Sequence, residues 1–345
     1  MNLYFLDSDL LEYAVVDVFK SLIWTKRYYT YGDFELYLPA SENMTAILQT
    51  CPYVSRDDDD TIMIIENVEI TTDAENGDYY IIAGRSLESI LTRRIVWNQT
   101  NLNAGDPAQA IYQLIDENAV NPEIEERQIV ELFVDDTFEG TGEVKMQLTG
   151  TQLDEAITNI CKTFGYGWKI TRGDSGEMIF ALYQRGAVPV TFSREFDNLI
   201  SSDYYQNSEN YKNVALVAGE GEGTERRRNT ASADPTAAGL TRYELYIDAR
   251  DISSNNGEIS DADYMAALAA RGMNKMLDGH TETYGFTGEV EPNTTYKYKT
   301  DYDIGNIVTV SNGYGVTATP RIVEIIECWD DTGYNVCPTF ETWEV

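Results

Sequence analysis

The sequence predicts an α+β fold in which β structure dominates. The chain has 345 residues, among them 24 Tyr and 11 Phe, and aromatic and β-branched residues favour strands. Long stretches near both ends alternate apolar and polar residues between turn residues, which is typical of β-hairpins. A few other stretches show helical spacing behind capping residues. We therefore expect two similar β modules near the ends, an inserted α/β domain and a peripheral region that contains a helix.

The predicted first β domain comprises residues 1–98. Residues 13–38 are strand-like, and Ser41 is placed to cap the short helix that follows. The segments IMIIENVEI and DYYIIAG then flank the turn ENGD at 75–78, which predicts a hairpin by alternation and by turn chemistry. The segment SLESILTRR at 86–94 is expected to form a short helix or an irregular arm.

Residues 99–187 are predicted to form the α/β insert. An Asp–Pro pair at 106–107 opens a helix, because Asp caps the helix and Pro suits its first position. Thr151 with Asp154 is expected to form the capping box of a second helix, which Gly165 closes. Strands are predicted at QIVELFV, GWKITR and EMIFALY, with a GDSGE turn before the last.

Three further segments complete the predicted organisation. Segment 188–250 returns to β structure and contains a long polar loop without periodicity at 219–240. Segment 251–282 is a helical peripheral region, whose helix opens with a Ser-x-x-Asp capping box. Segment 283–345 is a second β module, which we expect to pack with part of 188–218.

A similar β pattern occurs near both ends of the chain. Each copy begins with a Gly-Asp or Gly-Asn turn into a strand, followed by an excursion, a long strand that ends in acidic residues, a tight turn and a partner strand. A chain that contains the same unit twice can bury similar faces against similar neighbours. The turn and strand motif comprises Gly32, Asp33 and Phe34 in the first copy and Gly305, Asn306 and Ile307 in the second.

The composition excludes ordinary nucleic-acid binding. The formal net charge is −33, from 58 acidic and 25 basic residues, whereas binding to phosphate backbones needs clustered Lys and Arg. Two explanations of the charge stay open. It can serve solubility or reflect an acidic host proteome, or it can form a surface over which a polyanion slides without sticking.

The sequence also indicates where the chain is made. Its first residues, MNLYFLDSDLLEY, lack the basic start and apolar core of a signal peptide, and no 18 consecutive residues are apolar. We expect synthesis in a cytoplasm and no stable membrane insertion. Four cysteines form no CxxC pair, and reduced structural thiols are favoured, although Cys328 and Cys337 could meet across a hairpin.

We predict no catalytic residue, no cofactor and no metal ligand set. The sequence has a single histidine, His280, so HExxH and multi-histidine metal sites are ruled out. His280 follows Gly279 at a helix end, where a histidine can interact with the helix dipole. The segment GEGEG at 219–223 lacks GK[ST], and its glutamates would repel phosphate, so we interpret it as a flexible loop. The acidic run Asp57–Asp60 is expected to be a solvated loop. A bound hard cation stays possible there, although EF-hand spacing is missing.

Six arginines are candidate interface residues. Three lie in the segment GRSLESILTRR and are expected to pair with carboxylates within one chain or between subunits. The other three are consecutive and form either a solvated loop or a docking loop for an acidic surface on a neighbouring protein. The candidates are Arg85, Arg93, Arg94, Arg226, Arg227 and Arg228.

Several blocks, taken in order, resemble the tail-hub proteins of long-tailed phages. This siphovirus baseplate-hub family is similar in fold to the central hub of T-even baseplates. The resemblance extends from about residue 13 to residue 340. The blocks are GDFELYLP, IIENVEI, AGRSLESILTRRIV, VALVAGEGEG, LYIDARDI, YKTDYDIGNIVTV and RIVEIIE.

The resemblance implies a structural role without covalent chemistry. In that family two tube-like β-barrel domains per chain trimerise into a pseudo-sixfold ring, which continues the hexameric tail tube while other domains cap the tip. It implies a homotrimer in the virion, with a tail tube or distal tail protein on one face and a tip, receptor-binding or tape-measure protein on the other. DNA would pass through an acidic lumen without sequence-specific binding.

Two alternatives stay open. Abundant carboxylates would suit a glycan hydrolase of the cell wall, which needs two acids in one cleft, but no pair stands out in the sequence. The equivalent hub of a headless contractile particle, a tailocin, fits the same blocks.

Overall fold

The computed structural model describes residues 1–73, 77–173, 175–291 and 295–341. The chain divides into two compact units, which we call unit 1 (residues 1–202 and 287–341) and unit 2 (residues 203–286). Residues 99–187, predicted as an insert, belong to unit 1.

The described residues contain twenty-two strands and four α-helices. The helices are α1 (Glu42–Thr50), α2 (Pro107–Ile115), α3 (Leu153–Phe164) and α4 (Asp261–Leu277). The strands are β1 (Leu3–Leu6), β2 (Glu12–Val16), β3 (Ser21–Arg27), β4 (Asp33–Pro39), β5 (Tyr53–Arg56), β6 (Asp59–Asp73), β7 (Gly77–Ser86), β8 (Thr100–Ala104), β9 (Leu132–Asp135), β10 (Val144–Leu148), β11 (Gly167–Arg172), β12 (Met178–Tyr183), β13 (Ala187–Ser193), β14 (Leu199–Asn207), β15 (Val214–Ala218), β16 (Arg228–Ser232), β17 (Glu244–Asp248), β18 (Thr283–Val290), β19 (Ile307–Ser311), β20 (Thr317–Ala318), β21 (Ile322–Asp330) and β22 (Gly333–Phe340).

Strands from both ends of the chain are neighbours in one sheet. Its eleven strands follow the order β14-β18-β22-β21-β3-β4-β7-β6-β5-β1-β2. At the junction of the two chain ends, β3 pairs antiparallel with β21, and Trp24 lies opposite Glu327. The prediction of a β-dominated α+β fold is confirmed.

One face of the β3, β4 and β7 strands is buried against α1. Trp24 and Leu36 are fully buried there together with Met44 and Ile47 of the helix. The side chain of Ser41 accepts a hydrogen bond from the Met44 N–H at 3.1 Å, so the predicted N-cap is confirmed. Alternation along the strands thus directs the apolar residues to this core.

The segment between residues 99 and 187 contains α2, α3 and the three-stranded sheet β11-β12-β9. Asp106 caps α2 as predicted and accepts a hydrogen bond from Ala108 N–H at 2.7 Å. The capping box predicted at Thr151 and Asp154 is wrong. The carbonyl oxygen of Thr151 accepts a hydrogen bond from Val96 N–H at 2.8 Å, and the N-cap is Gln152, without a side-chain capping hydrogen bond. The helix itself covers the predicted segment LDEAITNICKTF.

The segment 86–94, predicted as a short helix or an irregular arm, contains a 3₁₀ helix at Leu87–Arg93. Gly165 closes α3 with a left-handed φ of 70°, as predicted. One residue of the predicted GDSGE turn, Asp174, lies outside the described residues.

Both predicted terminal hairpins form, as β6–β7 and β21–β22. Two of the four residues of the ENGD turn in the first hairpin, Glu75 and Asn76, lie outside the described residues. The strands that precede the hairpins differ. Strand β4 pairs with β7 inside the large sheet, whereas β19 belongs to the separate sheet β13-β19-β20. The two copies therefore share the hairpin but not the placement of the first strand.

Unit 2 contains the sheet β16-β15-β17, against which α4 packs. Ser260 caps α4 as predicted, accepting a hydrogen bond from Asp263 N–H at 3.2 Å. Helix and sheet approach closely at Gly272, where an added Cβ would lie 2.5 Å from the Cβ of Ala231. The prediction of an irregular loop over 219–240 is wrong in part, because β16 lies within it and pairs antiparallel with β15.

Candidate functional site

The two glycines of the repeated turn motif are both sterically required, for different reasons. Gly32 accepts a hydrogen bond from Ser86 N–H and donates one to its hydroxyl. A Cβ on Gly32 would lie 2.0 Å from the carbonyl oxygen of Thr25. Gly305 has a φ of 89°, and its added Cβ would lie 2.3 Å from the ring of Tyr28. The first position therefore needs close backbone contact and the second needs the left-handed conformation as well.

The residues that follow these glycines make contacts at the start of each strand. Asp33 forms an ion pair with Arg27 at 2.5 Å. Asn306 donates from its amide to a backbone carbonyl at 3.1 Å. Phe34 and Ile307 then begin the buried alternation of β4 and β19. Each motif thus fixes the start of a strand by polar contacts.

The acidic run Asp57–Asp60 begins as an exposed turn, as predicted, but Asp59 belongs to an ion-pair cluster, so the predicted solvated loop is wrong for this residue. The Asp59 side chain is only 1% exposed. Its carboxylate lies 3.1 Å from the ammonium of Lys26 and 3.0 Å from that of Lys299. Lys26 comes from β3, and Lys299 precedes β19 in sequence, so two distant segments provide the positive charges. The ammonium groups of Lys26 and Lys299 thus lie beside the acidic run, for which the sequence leaves a bound hard cation open.

A fully buried arginine extends this cluster across the junction of β3 and β21. The Arg56 side chain is 0% exposed and pairs with Glu327, 1% exposed, at 3.0 Å. It also pairs with Asp58 at 2.7 Å. Its guanidinium lies 5.3 Å from the ring centre of Trp24 and 4.3 Å from that of Trp329. We call the ion pairs of Arg56 and Asp59 together the buried charge network.

The network shifts several protonation equilibria. Burial by itself would raise the pKa of Asp59, but the charges of Lys26 and Lys299 outweigh it and hold the pKa well below its usual value. For Glu88 the balance is reversed, because burial outweighs the hydrogen bonds and the charge of Lys26 and raises the pKa of its carboxyl. One oxygen of Glu88 accepts a hydrogen bond from Ile170 N–H at 3.1 Å, and the other has no hydrogen-bond partner.

Sequence reasoning missed the basic members and the glutamate of the network. Arg56 directly precedes the acidic run, and Lys26 lies inside a predicted strand of a chain with few basic residues. These two positions could have indicated the ion pairs from the sequence, because arginine and lysine side chains near carboxylates form such pairs. Nothing local points to Glu327, which is 271 residues away from Arg56.

The three arginines of the GRSLESILTRR segment have different surroundings. Arg85 forms a two-point pair with Glu66, with distances of 2.7 and 2.6 Å. Arg94 instead donates to the backbone carbonyl of Arg127 at 2.7 Å. Arg93 ends the 3₁₀ helix. The carboxylate pairing that the sequence predicts within one chain is thus present for Arg85.

The arginine run of unit 2 also has intrachain contacts. Arg226 pairs with Asp248 at 2.5 Å, and hydrogen bonds from Arg250 are the largest cause that lowers the pKa of Asp248 to about 2. Arg227 pairs with Asp261. Arg228 donates to a backbone carbonyl at 3.3 Å.

The remaining candidates show local structural contacts. The ring of His280 lies 3.0 Å from the carbonyl oxygen of Asn210. GEGEG forms the connection between β15 and β16, where Gly219 N–H donates to Arg227 O. Cys337 lies opposite Ile326, so Cys328 does not directly face it across the β21–β22 hairpin.

The described part of the chain contains neither a cluster of metal ligands nor a membrane-spanning helix. There, His, Cys, Asp and Glu side chains form no group of three or more that could hold a metal ion. Within the same residues, each helix falls short of the length and apolar character needed to cross a bilayer.

The fold is that of phage tail proteins. The structure of a tail protein from Neisseria meningitidis MC58 matches with a TM-score of 0.61 at 12% identity, covering 98% of this chain and 96% of that one. The 43 kDa tail protein of prophage MuSo2 from Shewanella oneidensis matches with a TM-score of 0.58 at 11% identity, covering 99% and 98%. Prophage tail protein gp18 from Listeria monocytogenes EGD-e matches with a TM-score of 0.55 at 10% identity, covering 98% and 94%.

The chain belongs to the Siphovirus ReqiPepy6 Gp37-like protein family, whose model matches residues 2–340. Among curated proteins, no sequence matches the chain. The family match agrees with the extent of the resemblance found in the sequence blocks, and the identification as a phage tail protein is confirmed.

Proposed function

We propose that the protein is the structural hub of a phage tail tip, a virion component in which three copies form a pseudo-sixfold ring. The family match across residues 2–340 carries this proposal. The ring would join the tail tube to distal tail proteins, and its copies would be assembled in the host cytoplasm.

The large sheet supports the proposal that the two ends of the chain provide two similar wall segments of the ring. Hairpins β6–β7 and β21–β22 lie in one sheet, joined through β3 and β4. In the proposal each end provides one of six wall positions, so that a threefold ring docks on a sixfold tube. The domain boundaries predicted from the sequence, 1–98, 99–187, 188–250, 251–282 and 283–345, are part of this proposal.

The charge supports passage of DNA through the ring. Each of the three chains has a formal charge of −33. Carboxylates along the lumen would repel phosphates, so that DNA moves through without binding. The proposed role is structural and needs no catalytic residue.

Mass measurement and electron microscopy test this function. Native mass spectrometry of the purified chain is expected to show the mass of three copies, and a reconstruction of virion tails should place three copies in one ring at the tip. A stable monomer that is missing from purified tails would contradict the proposal. The same reconstruction would show whether acidic side chains face the lumen.

A further inference from the structure

A concave surface lies beside strand β9 in unit 1. We call it the β9 groove. Its volume is about 970 Å³, at the upper end of the ~300–1,000 Å³ range of ligand pockets. Phe133 and Val130 line it and are 54% and 67% exposed. Ile179 also lines the groove and lies opposite Phe133 in the strand ladder, so these side chains form one apolar surface. Exposed apolar surface in a concavity is typical of a binding site.

Strand β9 is at the edge of its sheet. It pairs with β12 in parallel on one side, and the strand order β11-β12-β9 gives its other side no partner strand among the residues that the structure describes. On that side Leu132 N–H donates to Ile129 O at 3.1 Å. An edge strand presents free backbone N–H and C=O groups. Such an edge can accept an extended peptide as an additional strand.

The polar residues of the groove are acidic. Four carboxylates line it together with the apolar surface, whereas Lys, Arg and His are missing from its described lining. Asp135 accepts a hydrogen bond from Thr137 N–H at 3.1 Å, which favours its charged form. The four acidic residues are Asp9, Glu131, Asp135 and Glu177.

We propose that the β9 groove binds an extended segment of a partner protein that carries both apolar residues and Lys or Arg on one face. Residues i and i+2 of a strand share a face, and Phe133 and Asp135 are exposed at this spacing in β9. Apolar side chains of the segment would pack beside Phe133, and basic side chains two residues away on the same face would meet the carboxylates. A second copy of this chain, at −33, would approach the acidic lining with like charge. The inference does not depend on the proposed hub function.

Peptide binding to the full-length chain tests the chemistry of this partner. The probe is a fluorescent ten-residue Val/Lys peptide, in which Val and Lys take turns at every second position with Ser between them, measured by anisotropy at 150 mM salt. A Ser/Lys peptide of equal charge and a Val/Glu peptide of equal apolar content are the controls, and both are expected to bind about tenfold more weakly or worse. A Val/Lys peptide with N-methyl groups on alternate residues should also bind more weakly, because methylation removes donors needed for strand addition.

Variants test the location. Phe133→Ser is expected to weaken Val/Lys binding by about tenfold, and Glu131→Gln should weaken it and reduce its salt dependence. Phe196→Ser is the matched control, since Phe196 is 58% exposed and does not line the groove. Far-UV circular dichroism checks that each variant folds.

Three outcomes would overturn the inference. Equal binding of the Ser/Lys peptide would show that charge alone attracts the probe to an acidic protein. Unchanged binding to Phe133→Ser would place the peptide elsewhere. Loss of self-association in Phe133→Ser, measured by sedimentation, would show that the groove is occupied by a second copy.

Discussion

Two arginine clusters in this chain form arginine–carboxylate ion pairs of similar length, one buried and one exposed to water. In unit 1 the Arg56 side chain is 0% exposed, lies between two indole rings and pairs with an equally buried Glu327. In unit 2 Arg250 is 68% exposed and pairs with Asp248, which is 40% exposed. Distances are similar in the two clusters, at 3.0 and 2.7 Å.

The difference shows that the position of a charge in the fold decides its importance, more than the distance to its partner. Water screens an exposed pair, so its contribution to stability is small. A buried charge has lost its hydration, so removing one partner leaves the other both unpaired and desolvated. The buried pair is also where β3 and β21 meet, so its loss would weaken the junction between the chain ends.

The largest expected effect is that of breaking the buried pair. Glu327→Gln should lower the free energy of unfolding of unit 1 by about 3–5 kcal/mol, because the guanidinium of Arg56 would lose its buried counter-charge and keep only the half-exposed Asp58. Four of the five tryptophans belong to unit 1, and the fifth, Trp343, lies outside the described residues. Tryptophan fluorescence during urea unfolding in a Trp343→Phe background therefore measures this unit.

A double variant sharpens the interpretation. Arg56→Met combined with Glu327→Met replaces both charges by apolar groups and should be less destabilised than Glu327→Gln alone. If the double variant is instead the less stable protein, apolar replacement does not rescue the site and the argument from uncompensated charge is wrong.

The second largest expected effect is the loss, at low pH, of the stability that Asp59 contributes. Burial raises and the two lysines lower the pKa of Asp59, and the net shift is downward. A depressed pKa gives stability that is present above the unfolded pKa of about 4 and is lost as the pH falls through the folded value. Asp59→Asn should therefore cost roughly 1–3 kcal/mol at pH 7. Its difference from the parent should shrink below pH 4 in urea titrations.

Glu88 should show the opposite pH dependence. Burial raises its pKa, and a carboxyl with a raised pKa favours folding at low pH and opposes it as the pH rises. Glu88→Gln keeps an acceptor for Ile170 N–H and cannot ionise. Its stability relative to the parent should increase between pH 5 and pH 9. A constant difference over this range would show that the pKa of Glu88 is not raised by folding and that its carboxyl is ionised in both the folded and the unfolded state there.

The smallest effect is expected at the exposed cluster. Arg250→Gln removes one of two arginines beside Asp248. Because this arginine is largely in water, hydrogen exchange of strand β15 should be unchanged within error. Faster exchange throughout β15 would show that the exposed pairs stabilise unit 2 and would weaken the contrast between the clusters.

The sequence predicted those features that depend on neighbouring residues. Ser41, Asp106 and Ser260 cap their helices because a side-chain oxygen reaches a backbone N–H two or three residues away. The terminal hairpins follow from local alternation and turn residues. The failed capping box at Thr151 has a long-range cause, since its backbone is paired with Val96.

The sequence by itself determined the β-dominated fold class, most helix starts, the two hairpins and the kinship with phage tail proteins, because periodicity, caps and ordered blocks are local along the chain. Only the tertiary structure decided that Asp59 of the acidic run is buried beside two lysines, that Glu327 faces Arg56, and that β9 exposes an apolar edge among carboxylates. These features bring together residues that are far apart in the chain. Which distant strands become neighbours is set by the packing of the whole sheet.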